Sequence, residues 1–255
     1  MGIAVLGPLT VGGDPGEATL WRRDRIVLAA LAVRPGQVVT AEALADMLWG
    51  AHLPLSWQKV IQGCVVRLRK RLGSQAIGTA VNGYRLAVPL DEIDAHRFDR
   101  AVRRARELIA ADAFERAATV LSDALELWRG KPFTELEEWD LARVEAARLT
   151  ELRFEAEELY VEAALRAGQL DRVLATAQAL VSESPLRERR WILLATAQYQ
   201  DGRQGDALHT IQQLRTVLSQ ELGLDPTPDV TSLEQAILHQ DPALIRRPAA
   251  LPEPT

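Results

Sequence analysis

A chain of 255 residues, 47% hydrophobic and 25% charged, has an ordinary globular composition and is long enough for one or two domains with cores of their own. Its single cysteine, Cys64, cannot form an internal disulfide, and neither an early apolar leader nor a run of 18 apolar residues is present, which argues against secretion and membrane insertion and for a cytoplasmic protein. The net charge of −5 hides an asymmetry: residues 1–90 carry 10 Arg plus Lys against 5 Asp plus Glu, and the remainder carries 20 against 30, the pattern of a nucleic-acid-binding module joined to a protein-binding or regulatory one.

Residues 3–11, Ile-Ala-Val-Leu-Gly-Pro-Leu-Thr-Val, read as short apolar strands broken at Gly7-Pro8, with a turn over Gly12-Gly13-Asp14-Pro15-Gly16. The glycine pair is not read as a phosphate cradle, because no Lys-Ser/Thr pair or helix start follows it. Arg25 to Val33 forms an apolar helix that Pro35-Gly36 stops, and Thr40 is placed to cap a second helix over Ala41–Trp49. A third helix follows Pro54 and runs to Gly73. Its residues Ile61, Val65, Leu68 and Leu72 recur at helical spacing and should pack inward, while Lys59, Gln62, Val66 and Arg69 or Lys70 line another face flanked by Arg67 and Arg71. Arg and Lys bind phosphate oxygens, and Arg or Gln pairs bidentately with base edges, so a basic helix on a small domain's surface suits the DNA major groove. The alternative is a surface helix whose charges are merely solvated. Ala76–Val81 and Tyr84–Val88 flank Asn82-Gly83, a tight-turn signal in which Gly83 is expected at positive φ.

Strands, three helices and a closing hairpin, with the third helix basic, describe a winged helix. The residues Leu6-Gly-Pro-Leu9, Arg25-Ile-Val-Leu-Ala-Ala-Leu31, Ala45-Asp-Met-Leu-Trp-Gly50, Val60 to Gly73 and Asn82-Gly-Tyr-Arg-Leu86 also resemble the OmpR-type domain of SARP/AfsR-like transcriptional activators. The resemblance implies that the third helix enters the major groove and the wing meets the DNA backbone. It carries DNA contact onto Lys59, Gln62, Arg67, Arg69, Lys70 and Arg71, with Arg85 in the hairpin and Arg23 and Arg25 at the first helix completing the set. Gly63-Cys64 departs from the hydroxyl and aromatic or His residues common there in the family.

After residue 90 the composition shifts to Ala, Leu, Glu and Arg in long helical periodicities, with Asp94 placed to cap a helix to about Ala111. Gly168-Gln-Leu-Asp-Arg-Val173 aligns with Gly202-Arg-Gln-Gly-Asp-Ala207 at an offset of 34, Leu180 falls on Leu214, and Asp112-Ala-Phe-Glu-Arg-Ala117 is an earlier copy. That offset is the tetratricopeptide period, in which helix pairs stack because one pair cannot bury its apolar face alone. The array is degenerate: Val173 stands where a small residue is usual, and Glu138–Ala167 departs from repeat length, although Pro185 occupies the closing position. This block, through Glu221 to Asp229 and a helix over 230–239, resembles the bacterial transcriptional activation domain that follows the winged helix in the same family. The sequence thus predicts a mainly α protein with an α+β winged helix over 1–90, an all-α tetratricopeptide-like domain over 91–245, and a Pro-rich tail or linker start over 246–255.

No catalytic or metal constellation emerges. His52, His96, His209 and His239 are scattered, Cys64 reads as a buried structural thiol, and the aromatic residues Trp128, Trp139, Trp191 and Tyr199 read as core. Glu137-Glu138 and Glu157-Glu158 diverge as helix neighbours do and read as solvated faces. The family resemblance therefore implies a non-enzymatic, cofactor-free activator of a secondary-metabolite (antibiotic) gene cluster, binding direct repeats in double-stranded DNA near a promoter, contacting RNA polymerase holoenzyme and associating head-to-tail on DNA. Two alternatives stay open: the N-terminal part of a larger regulator with further domains beyond the tail, or a tetratricopeptide-like scaffold that binds acidic proteins.

Overall fold

A computed structural model describes residues 2–12 and 20–244, among which are ten α-helices and five short strands. Of the expected glycine turn, Gly13 to Gly16 lie outside the described residues, as does the tail over 246–255. The chain forms two compact units, residues 1–102 with 123–153 and residues 103–122 with 154–255.

In the first unit β1 (Ile3–Ala4) pairs antiparallel with β2 (Thr10–Val11). Helix α1 (Arg22–Val33) begins three residues ahead of the predicted Arg25, and Ile26 through Val33 are all buried because α2 (Ala41–Trp49), α3 (Trp57–Leu72) and the hairpin pack around it. Such a helix needs no polar stripe beyond its first turn. Gly36, at φ +83°, turns the chain away, and its N–H donates to the Leu86 carbonyl at 2.8 Å. Thr40 caps α2 as expected, its Oγ1 accepting the Ala43 N–H at 3.1 Å, a bond worth about 1 kcal/mol. Strands β4 (Ile77–Ala80) and β5 (Gly83–Leu86) form the hairpin, and β3 (Val39–Thr40) adds to its other side, giving the antiparallel order β3-β5-β4 of a winged helix.

The hairpin corrects the expected turn. Ala80 pairs with Gly83, so Val81 and Asn82 are the two loop residues, and Gly83 belongs to the central strand with ordinary negative φ. Glycine is needed there for a different reason: a Cβ at Gly83 would stand 2.1 Å from the Val39 carbonyl oxygen and 2.8 Å from the Thr40 Cα. Close approach of β3, not turn geometry, selects the residue.

Asp94 opens α4 (Asp94–Ala110), but its carboxylate is turned to the N-terminal segment, accepting the Val5 and Leu6 N–H groups at 2.8 and 3.1 Å. Arg129 and Phe133 add N–H bonds to the Leu6 and Val5 carbonyls, and Glu135 accepts from the Leu9 N–H at 2.9 Å. A loop far along the chain thus satisfies backbone groups that two short strands leave open.

The second unit contains the repeats. Helices α5 (Phe114–Leu125), α7 (Leu170–Glu183) and α9 (Gln204–Leu222) follow turns at Asp112, Gly168 and Gly202, all left-handed at φ 55°, 75° and 80°. Each turn makes the same pair of bonds to the preceding helix. Gly168 N–H donates to Leu165 and Gln169 N–H to Ala164; Gly202 donates to Tyr199 and Arg203 to Gln198; Asp112 donates to Ile109 and Ala113 to Leu108. These are Schellman closures, so the aligned sequence positions are equivalent in structure. Leu180 and Leu214 are both buried beside Trp191 and Tyr199, while α8 (Glu188–Gln200) packs on α7 and α9, and α10 (Pro228–Leu238) on α8 and α9.

Glu157 and Glu158, on α6 (Asp140–Arg166), are not solvated as expected but buried at 7% and 3% exposure. Arg190, fully buried, reaches Glu157 at 2.7 Å and Glu158 at 3.6 Å, donates to the Leu180 carbonyl at 2.8 Å and lies over the Phe154 ring. Arg187 donates to Glu158 at 2.9 Å. Adjacent carboxylates do point apart on a helix, yet a guanidinium has five donors and can meet both. Glu137 and Glu138 are exposed, with Glu137 paired to Lys131 at 3.0 Å.

Candidate nucleic-acid interface

Helix α3 supplies the surface. Ile61, Cys64, Val65 and Leu68 are buried against α1 and α2, which fixes the opposite side outward. There Lys59, Gln62, Val66 and Lys70 form one exposed stripe, and their side chains make no hydrogen bond or ion pair with any other described residue. Two arginines stand on either flank of that stripe, each about 80° round the helix from Lys59. Both are tied inward.

Arg67 grips Asp24 of α1 with two parallel bonds, Nε to Oδ2 at 2.9 Å and Nη2 to Oδ1 at 2.6 Å, and its guanidinium lies 4.7 Å from the Trp21 ring centroid. Asp24 is 3% exposed, and its hydrogen bond to Arg67 raises the guanidinium pKa further. The same Arg67 Nη2 donates to Cys64 Sγ at 3.3 Å. Burial first, then the Asp24 carboxylate, pushes the Cys64 thiol up to about 12, so it stays a neutral core thiol. On the other flank Arg69 donates to the Ile77 carbonyl at 2.9 and 2.7 Å and to Thr79 Oγ1 at 2.7 Å, bracing the wing. Arg71 is half-buried and likewise engaged.

The other expected residues fall into two places. Arg85 is exposed on β5 with its side chain lying across Gly78 of β4. Arg23 is exposed with its guanidinium 5.5 Å from the Trp49 ring centroid, and Arg25 is half-buried in the first turn of α1. Arg22, which the sequence reading passed over by starting the helix at Arg25, joins Trp21, Arg23, Lys59, Val60, Gly63 and Arg67 around an open hollow of about 470 Å³. The adjacent Arg22-Arg23 pair was the available signal, but assigning it to this surface needs the helix start. Chemically the assembly offers ammonium and guanidinium groups for phosphate, one amide for a base edge and one isopropyl group.

A basic helix seated across a three-helix core, with a three-stranded wing beside it, defines a winged-helix protein with an appended helical-repeat unit. Residues 93–238 match the family described as bacterial transcriptional activator domain, and residues 16–86 match transcriptional regulatory protein, C terminal. The regulatory protein DnrI of Streptomyces peucetius is 30% identical over 99% of this chain and 97% of its own length. The transcriptional regulatory protein EmbR of Mycobacterium tuberculosis is 35% identical over 93% of this chain, which spans 63% of EmbR. A solved structure of EmbR in complex with a low-affinity phosphopeptide superposes with a TM-score of 0.84 at 34% identity, covering 94% of this chain and 65% of that one. The chain belongs to the SARP/AfsR-type family of bacterial transcriptional activators.

Proposed function

We propose that this protein is a sequence-specific activator of transcription, without enzymatic activity, that sets α3 in the major groove of direct repeats near promoters of a secondary-metabolite (antibiotic) gene cluster. Residues 1–90 read DNA, residues 91–245 communicate with RNA polymerase holoenzyme, and protomers associate head-to-tail because direct repeats, unlike palindromes, present each protomer in the same orientation. The protein acts in the cytoplasm, and no described helix is long and apolar enough to cross a membrane.

The observation that carries the reading is the exposed stripe of Lys59, Gln62, Val66 and Lys70 on a helix whose two flanking arginines brace it against α1 and the wing. A groove-reading helix must hold its side chains in fixed register, and such braces supply that register. Of the nine residues expected at the DNA, Lys59, Gln62, Lys70, Arg85 and Arg23 touch it, while Arg67, Arg69, Arg71 and Arg25 serve it by position.

The test is a mobility shift across a salt series, with a promoter fragment against random DNA, beside in-vitro transcription with purified polymerase. Promoter DNA should bind tighter than random DNA, with affinity falling steeply as salt rises, and transcription should increase. Equal, salt-insensitive binding of both DNAs, or tighter binding of acidic protein, defeats the proposal.

A further inference from the structure

Building on the reading of α3 as the groove-entering helix, the side chains left on its stripe determine which bases it can distinguish. The commonest specific contact of such a helix is a guanidinium on guanine O6 and N7. Helix α3 has three arginines, but Arg67 is held by Asp24, Arg69 by Ile77 and Thr79, and Arg71 is half-buried and engaged. What lies between Lys59 and Lys70 is the Gln62 amide and the Val66 isopropyl group.

Those two residues are one helical turn apart on the same side, about 6 Å along the axis. With base pairs stacked at about 3.4 Å, they meet the same or neighbouring steps of a groove. An amide pairs bidentately with adenine N6 and N7. An isopropyl group offers no polar atom, and the 5-methyl of thymine is the apolar group on the major-groove edge that it can cover. Val66 is 63% exposed in a row of long polar arms. Gly63, at the preceding turn, carries no side chain to screen it.

We propose that the operator holds a T·A pair read by Val66 through the thymine 5-methyl, with Gln62 on an adenine within two base pairs and Lys59 and Lys70 on the phosphates to either side. Val66 is then a specificity residue, contributing little to binding of random DNA.

The experiment starts with the whole chain and a randomised duplex, from which bound sequences are selected to give a consensus. Each consensus thymine is then replaced singly by deoxyuridine, which lacks the methyl. At one position the replacement should weaken wild-type binding roughly three- to tenfold, the worth of one or two buried methyl-sized contacts. Val66→Ala should bind unmodified operator less tightly by the same factor, show almost no further loss with deoxyuridine, and bind random DNA like wild type with an unchanged circular dichroism spectrum. The parallel pair is 7-deazaadenine at the neighbouring adenine with Gln62→Ala. A consensus with no thymine sensitive to deoxyuridine, or a sensitivity that persists undiminished in Val66→Ala, overturns the assignment while leaving the activator reading intact. A selection that yields no consensus overturns that reading itself, and the Val66 assignment with it.

Discussion

Helices α3 and α8 each carry a run of arginines, and the two units use them in opposite ways. In α8 and just before it, Arg187, Arg189 and Arg190 all turn to carboxylates of α6, and Arg190 is wholly out of solvent. In α3, Arg67 and Arg69 are spent on bracing, but the stripe between them stays outside with its lysines and amide unpaired among the described residues. Both segments set arginines close together; what differs is the facing element. Helix α6 presents three glutamates to α8, whereas α1 presents α3 with one aspartate, Asp24, and the stripe on α3's far side is exposed. Counting charges along a sequence therefore says less about a binding surface than knowing which of them have partners.

The contrast can be broken most severely at Arg190. Arg190→Met takes the 2.7 Å guanidinium from the buried Glu157 and leaves Glu158 to Arg187 and Arg189, and urea unfolding should show a loss of about 3–5 kcal/mol. Adding Glu157→Gln should recover part of it, since the buried carboxylate that lost its Arg190 partner is then neutral. A loss below about 1 kcal/mol in the single variant would mean that the cluster is not sealed from water.

Gly83 tests whether the wing is held by close packing. Gly83→Ala should cost about 2–3 kcal/mol, because its Cβ meets the backbone of β3 rather than a movable side chain. Thermal melting decides the point: a variant as stable as wild type would restore the turn reading that the pairing of Ala80 with Gly83 replaced.

Arg67 and Lys70 sharpen the division between a brace and a residue proposed to contact DNA. Arg67→Ala leaves the buried Asp24 without its bidentate partner and should destabilise the protein by about 1–3 kcal/mol. Lys70→Ala should change stability by less than about 0.5 kcal/mol while lowering the salt slope of DNA binding by about 1. If the two variants show the same pattern in melting and in mobility shift, the two roles are not separate.

The smallest effect concerns Asp94, a buried carboxylate held by two N–H groups and by Arg129 at 3.6 Å rather than by a bidentate arginine. Burial raises its pKa above the ordinary 3.8, against the lowering effect of those hydrogen bonds. A carboxyl raised in the fold binds its proton more tightly folded than unfolded, so its titration favours the fold fully below 3.8 and that advantage is lost as pH rises through the raised value. The stability of wild type relative to Asp94→Asn should accordingly fall with rising pH across that window and level off above it. A difference that grows with pH would mean the hydrogen bonds outweigh burial.

The elements themselves were legible wherever the signal is local. Apolar spacing located α2, α3 and the repeat helices, the Thr40 hydroxyl marked a cap, and the offset of 34 between Gly168 and Gly202 matched two identical helix closures. These depend on residues within one or two turns of each other, so the sequence carries them whole. The exposed stripe was half legible for the same reason: helical period groups Lys59, Gln62, Val66 and Lys70, but cannot tell them from Arg67 and Arg69 beside them. That separation needed Asp24, 43 residues away, and the Ile77 carbonyl across a turn. Likewise the burial of Glu157 required Arg190 at a separation of 33, the restriction on Gly83 required β3, and the N-terminal strands required Arg129 and Glu135 more than 120 positions along the chain. Sequence by itself determined periodicity, caps and repeat length, because backbone geometry and nearest-neighbour chemistry suffice for them. Tertiary structure alone decided which charges are spent and which are presented, because a salt bridge or a steric contact exists only when two distant segments come within a few ångströms.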